Sequence, residues 1–367
     1  MDGKVINFIN TLPIFPFFLS LRRQASSATP AFLSQSAMRH LLVPFLMSVL
    51  LLTACAERRT PATSIEGFAL GTVYSVTVAD RAPDSLRQRV EAIFAEADTT
   101  LSVFNENSLL SRLNRNETDR VNDDIARNIA LARSVSELSG GRYDITILPL
   151  VEAYGFLNDP QHEGIDIDSV LQYVGYRKID VRDGRLVKQY PQTRIDLNSI
   201  AKGYIVDRVA AMLESEGSER YLVNIGGEIF CRGTNPSGKP WSIAIDTPYE
   251  GNYIPGEHTM IVLHVSGVGV ATSGNYRNFH TGEDGTRYTH IIDPITGRNT
   301  ASNLLSATVI AESCARADAL GTMFIALGLD DALALLQEHP DIAALLIYAQ
   351  PDGSMKIHTS EAMQQYL

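Results

Sequence analysis

The sequence predicts an α+β fold, with mostly antiparallel sheets and packed helices, in a single domain spanning residues 65–367. Three observations predict it. Apolar residues recur at helical spacing in several long stretches, and short β-branched and aromatic runs cluster between them. The two patterns also do not alternate in the strict βαβ order that a doubly wound parallel sheet needs. No tandem repeat and no long linker interrupts the domain.

The elements follow in order. Tyr74–Val78 alternates as a strand, and Ser85–Leu101 carries Leu86, Val90, Ile93, Phe94 and Ala97 on one helical face. Asp123–Leu138 is a second helix, stopped by Gly140-Gly141, and Leu186-Val187 with Arg194–Leu197 reads as short strands around a turn. A third helix runs from Ser199 to Glu216, with Ile200, Ile205, Val209, Met212 and Leu213 on its apolar side. Strands are expected at Tyr221–Ile225, Trp241–Ile245, Met260–Val265 and Ser306–Ile310, then helices at Ala315–Leu327 and Asp331–Gln337. Ala343–Tyr348 and Met355–His358 form a hairpin around Asp352-Gly353.

With 367 residues and a formal net charge of −11, the chain can bury a large core and has no basic footprint for nucleic acid. Its three cysteines, Cys55, Cys231 and Cys314, form no CxxC pair, which argues against a zinc site and a disulfide framework. The first of them has a different explanation. From Met38, a second candidate start, the chain reads a short basic stretch, an apolar run from Leu41 to Leu52, and then Leu52-Thr53-Ala54-Cys55. That is the pattern of a lipoprotein signal peptide over residues 1–54, with lipidation at Cys55 and a linker to residue 64. The apolar run is shorter than the ~20 residues a permanent span needs. Losing residues 1–54 removes Lys4, Arg22, Arg23 and Arg39 but only one acid, Asp2, so the exported part is more acidic still.

Four segments are rich in glycine and in small polar and ionisable residues: Gly141–Thr146, Asp196–Tyr204, Asn224–Glu228 and Ala271–Arg277. Each alone is also ordinary turn chemistry. The helix opening at Asn198 or Ser199 offers free N–H groups and a partial positive charge, to which Lys202 adds a full one, and together they suit a phosphate. The plainer alternative makes Ser199 an N-cap and Lys202 a solvated side chain. Asp318 and Thr322, four apart on a helix, share one face, and the alanines and Gly321 beside them leave room for a ligand. Two hard oxygen ligands without a cysteine or histidine cluster suit magnesium, while a packing hydrogen bond from Asp318 is the bland reading. His290 opens a strand-like run that Asp293-Pro294 ends, and a histidine is the usual group to take a hydroxyl proton near neutral pH. A structural, hydrogen-bonded histidine is its alternative.

Taken together, these segments resemble the FAD:protein FMN transferase (ApbE) family over nearly all of residues 67–350. The resemblance rests on Gly71-Thr72 with Tyr74, Leu101-Ser102 with Phe104-Asn105, and Tyr143–Thr146 with Pro149-Leu150 and Gly155-Phe156. It continues through Asp196-Leu197 to Lys202-Gly203, Asn224–Gly227, Thr272–Gly274 with Tyr276-Arg277, His290–Pro294 with Gly297, and Ala317–Ala319 with Thr322.

The resemblance implies an ApbE-type fold with an internal duplication and FAD as substrate in a cleft between its halves. Leu70, Arg142, Tyr143, Asp144, Asp196, Lys202 and Ile292 would contact FAD, Ser199, Asp318 and Thr322 would hold Mg²⁺, and His290 is the candidate base. The expected reaction moves FMN from FAD to a serine or threonine hydroxyl of an acceptor flavoprotein subunit in an envelope redox complex, with release of AMP. The expected location is the inner membrane, facing the periplasm, through the lipid on Cys55. The alternative is an FAD-binding or FAD-hydrolysing lipoprotein without transferase activity. Two departures stand out: Arg142 replaces a residue that is more often small, and Gly321 stands where some members carry a second carboxylate.

Overall fold

The computed structural model describes residues 61–156, 166–249, 257–274, 279–281, 287–289, 291–299 and 302–367, with backbone only for 279–281 and 287–289. In chain order the elements are β1 (Thr63–Ala69), β2 (Thr72–Val78), α1 (Leu86–Leu101), α2 (Leu109–Asn114), α3 (Asp123–Leu138), α4 (Leu148–Ala153), α5 (Ile167–Leu171), β3 (Ile179–Arg182) and β4 (Arg185–Lys188). There follow α6 (Ala201–Ser215), β5 (Tyr221–Ile225), β6 (Glu228–Arg232), β7 (Trp241–Asp246), β8 (Thr259–Val265), β9 (Val268–Gly274), β10 (Phe279–Thr281) and β11 (Arg287–Thr289). The chain closes with β12 (Leu304–Ala311), α7 (Cys314–Leu327), α8 (Leu329–Glu338), β13 (Ala343–Ala349) and β14 (Met355–Thr359). The expectations at Met38, Cys55, Tyr276, Arg277 and His290 lie outside the described residues.

Eight strands form one sheet in the order β1-β2-β5-β6-β9-β12-β13-β14, and every neighbouring pair is antiparallel. The α+β, antiparallel expectation therefore holds. Period-two alternation sorts each strand between two cores. On β13, Ala344 and Leu346 join the core under α3 and α7, while Ala343, Leu345 and Ile347 face the β7–β8 hairpin with Trp241, Ile243 and Leu263. A third apolar cluster seats α1 and α6 on β2 and β5 through Val90, Phe94, Val206, Val209, Tyr221 and Val223. Cys231 and Cys314 are free, buried thiols.

Local chemistry sets the helix ends. Asn122 caps α3 by accepting the Ile125 N–H at 3.0 Å, and Asp123 and Asp124 fill its positive first turn. Ser313 caps α7 through the Arg316 N–H. One strand expectation fails: β4 pairs with β3, whereas Arg194 makes only an isolated bridge to Ile147. β3 supplies a neighbour in register, and Arg194–Leu197 is held instead by Asn114, whose side chain bonds both the N–H and the C=O of Ile195.

Two-residue hairpin turns bring the site together. Leu70 (φ 53°) and Gly71 (φ 74°) join β1 to β2, and Gly226 (φ 66°) and Gly227 (φ 106°) join β5 to β6, all in the left-handed region such turns demand. The Gly226 N–H donates to the Val73 carbonyl at 2.9 Å, and a Cβ on Gly226 would lie 2.8 Å from Thr72 Oγ1. The two turns consequently sit against each other, with no room for a side chain between them.

Candidate active site

The helices α6 and α7 approach at backbone distance because Gly203 has no side chain; a Cβ there would stand 2.4 Å from the Cys314 carbonyl oxygen. This closeness lets Asp318, on α7, accept the Gly203 N–H through Oδ2 at 3.0 Å. One of the open N–H groups at the start of α6 is thereby occupied by a carboxylate of the neighbouring helix. Lys202, one residue earlier, reaches to the sheet and donates to Glu228 Oε1 at 2.6 Å. Glu228 opens β6 directly after the Gly226-Gly227 turn and is 3% exposed. Its Oε2 is buried without a hydrogen-bond partner among the described residues.

Two buried acids and a half-exposed lysine meet here. Burial pushes the Glu228 carboxyl up to about 7, with Lys202 pulling it down and Asp318 adding to the rise. Burial likewise raises Asp318, against the pull of Lys202 and the Gly203 N–H. For Lys202, burial works against the ammonium, but Glu228 and Asp318 outweigh it and its pKa is raised. The two acids thus hold the lysine in its charged form.

Around it the expected residues fall into place unevenly. The Ser199 hydroxyl hydrogen-bonds the buried Tyr143 hydroxyl at 2.9 Å, and so the expectation of Ser199 as N-cap is not met. Residues ahead of Ala201 form turns, and the cap position, Ile200, makes no side-chain cap. Burial raises Tyr143 strongly, opposed by the Ser199 hydroxyl and reinforced by the charges of Asp318, Asp196 and Asp144. Thr322 Oγ1 lies 3.3 Å from Ser273 Oγ, at the end of β9. Leu70 belongs to the neighbouring hairpin turn, and Asp196 is tied to the Tyr143 loop by its N–H to the Ile145 carbonyl at 2.7 Å.

Asp144 is different. Oδ1 accepts the N–H and hydroxyl of Thr146 at 2.7 and 2.6 Å, and Oδ2 accepts the Tyr176 N–H, so the carboxylate organises its own loop. Arg142 reaches out to Asp293 at 3.3 Å and ties this loop to the Asp293–Gly297 turn. Ile292 packs its side chain into a small core with Leu150, Val151 and Val174, which leaves its backbone for any contact with a ligand.

The small residues of α7 also do something other than expected. Ala315, Ala317 and Ala319 are buried in the core, and a Cβ on Gly321 would meet Ser273 Oγ at 2.9 Å. They allow close packing against the sheet and α6, not access for a ligand. Sequence reasoning missed two acids. Glu228 stood at the end of a singled-out glycine segment, and its position after Gly226-Gly227 was the available signal. Asp207, on α6, takes the N–H groups of Cys314 and Ala315 at 2.7 and 2.9 Å and so caps α7 from outside; nothing in the sequence pattern announces it.

The antiparallel sheet and the helix starts gather two carboxylates and a lysine beside the hairpin turns, and comparison with known proteins supplies the class, a flavin transferase, and then the family. The chain belongs to the ApbE family, whose sequence profile matches residues 70–346. It is 32% identical over 343 residues to the FAD:protein FMN transferase of Vibrio cholerae serotype O1, covering 90% of this chain and 99% of that one. It is 34% identical to that of Haemophilus influenzae, over 82% of this chain and 90% of the other. Among solved structures, a histidine-to-glycine variant of the Vibrio cholerae flavin transferase ApbE superposes with a TM-score of 0.74 at 31% identity, covering 84% of this chain and all of that one. The apo flavinyl transferase ApbE of Pseudomonas stutzeri gives 0.73 at 30% identity, covering 84% of this chain and 97% of that chain.

Proposed function

We propose that this protein is an FAD:protein FMN transferase that uses Mg²⁺, moves the FMN half of FAD to a serine or threonine hydroxyl of an acceptor flavoprotein, and releases AMP. The single observation that carries this is the cluster of Lys202 with the buried acids Glu228 and Asp318 at the start of α6, in a chain whose family relatives bear that activity.

The reaction joins the acceptor's hydroxyl oxygen to the phosphorus on the riboflavin side of the pyrophosphate and breaks the bond from that phosphorus to the bridging oxygen. AMP leaves with the bridging oxygen, and the hydroxyl proton passes to a base, for which His290 is the sequence's candidate. Such a transfer depends on charge neutralisation and alignment. Lys202 supplies a fixed positive charge, and the N-terminal end of α6 adds its partial one.

The residues suit a magnesium ion. Among the described residues no group of three or more His, Cys, Asp or Glu is placed to hold a metal ion. Mg²⁺ characteristically uses one or two carboxylates and completes its octahedron with waters and substrate phosphates. Asp318, Thr322 and the Ser199 position would hold it, offering one carboxylate and two hydroxyl oxygens, the hard donors that Mg²⁺ takes. When bound, the ion would neutralise charge on the pyrophosphate.

The lipoprotein reading completes the proposal: Cys55 is diacylated and anchors the enzyme to the inner membrane on its periplasmic side, where an envelope redox complex offers the acceptor subunit. Chromatography of FAD digests separates the rival activity. A transferase releases AMP in step with flavin bound to acceptor and leaves little free FMN. Equal FMN and AMP, with or without acceptor, would make it a hydrolase, and intact FAD throughout would make it a binding protein.

A further inference from the structure

Glu228 is costly where it stands. It is 3% exposed, one oxygen bonds the Lys202 ammonium at 2.6 Å, and the other is buried with no partner among the described residues. A buried unpaired polar atom forfeits a hydrogen bond's worth of stability, so an acid kept only for folding is expected to have both oxygens satisfied. Asp144 and Asp207 in the same protein meet that expectation, each bonding through both oxygens. Glu228 does not. Its backbone site is fixed by β6 pairing to β5 and by the Gly226-Gly227 turn, so the carboxylate is a rigid post and Lys202, on its long flexible stem, is what the post holds.

We propose that Glu228 is a positioning residue for phosphoryl transfer: it pins the Lys202 ammonium at the start of α6 so that the remaining N–H donors face the FAD pyrophosphate. This rests on the flavin-transfer reading and adds to it a residue that touches no substrate. A lysine whose four-carbon chain is unrestrained must be ordered in the transition state, at an entropic cost that the ion pair settles in advance. The same carboxylate places a negative charge near a polyanionic substrate, so it weakens ground-state binding while improving alignment. Those opposite effects separate positioning from mere structural support.

The test compares wild type, Glu228→Gln, Lys202→Met and the double variant in single-turnover FMN transfer, FAD affinity and thermal melting. Glu228→Gln is expected to transfer about 10²-fold more slowly, the scale of a small misplacement of a catalytic group. It should bind FAD as tightly as wild type or tighter, and melt no lower at pH 8. In the Lys202→Met background the same change is expected to slow transfer by no more than about 3-fold, since there is no longer an ammonium to hold. Wild-type transfer by Glu228→Gln, a joint loss of FAD affinity and melting temperature, or equal slowing in both backgrounds would each overturn the positioning role. A wild-type protein that neither binds FAD nor modifies an acceptor would instead overturn the reading on which it rests.

Discussion

Asp144 and Asp207 on one side, Glu228 and Asp318 on the other, are acids of the same chemistry in neighbouring parts of the molecule, and they are held in opposite ways. The first two give both oxygens to backbone or hydroxyl donors of their own surroundings. The second two have one oxygen each engaged, by Lys202 and by the Gly203 N–H, and burial raises both. The contrast teaches where the fold ends and the chemistry begins. The saturated pair locks a loop and a helix start, whereas Glu228 holds a lysine and Asp318 keeps one oxygen that no described residue engages.

The comparison breaks most directly at Asp318. Asp318→Asn keeps the shape and one acceptor oxygen but removes the charge, and transfer at limiting Mg²⁺ is expected to fall by roughly 10²-fold or more, as charge stabilisation of several kcal/mol is lost. Melting should change little. Undiminished turnover would place Asp318 with the saturated pair.

Asp207→Ala is the converse. Two N–H groups at the start of α7 lose their acceptor, and a cap of this kind is worth about 2 kcal/mol, or roughly 5 °C of melting temperature in a domain of this size. FMN transfer per folded molecule should survive, as measured below the melting range. A drop in turnover with unchanged melting would show that Asp207 acts on the site.

The same residue sharpens the comparison through pH. Burial, opposed by the two N–H donors, pushes Asp207 up to about 6, so between its unfolded value near 4 and 6 the native state binds more protons than the unfolded chain. Stability from this group is therefore greatest on the acid side and declines as pH rises through that window, by at most about 3 kcal/mol. Melting curves from pH 4 to 8 should flatten in Asp207→Asn. An unchanged profile would contradict the assignment.

The smallest effect is expected at Arg142. Its ion pair with Asp293 is partly exposed, which limits it to about 1 kcal/mol or less, and Arg142→Ala should cost little in melting and should raise the KM for FAD more than it lowers kcat. A kcat effect alone would mean that the loop is not a binding element.

Much of the scaffold was legible. The apolar periods of α1 and α3, the strands at β5 and β7 and the hairpin at Asp352-Gly353 are local signals, and the structure follows them closely. β6 was not, because it begins with a charged residue after two glycines, and β9 was not, because it ends in Thr272-Ser273-Gly274. α2 and α4 span six residues each, too short for a helical period to register. The site was legible as segments but not as geometry. Lys202 and Asp318 were found, yet their respective partners, Glu228 and the Gly203 N–H, are long-range facts, the second set by how tightly α6 and α7 approach. The alanines of α7 misled for the same reason, since small residues serve a close helix contact as readily as a ligand.

The central claim is that this chain moves FMN onto a protein. Intact mass of a candidate acceptor, after incubation with the soluble part of the protein, FAD and Mg²⁺, tests it most directly. The expected product is an acceptor heavier by one FMN phosphoester, absent when EDTA is added and absent when the acceptor's target serine or threonine is replaced by alanine. An acceptor of unchanged mass while FAD is consumed would contradict it.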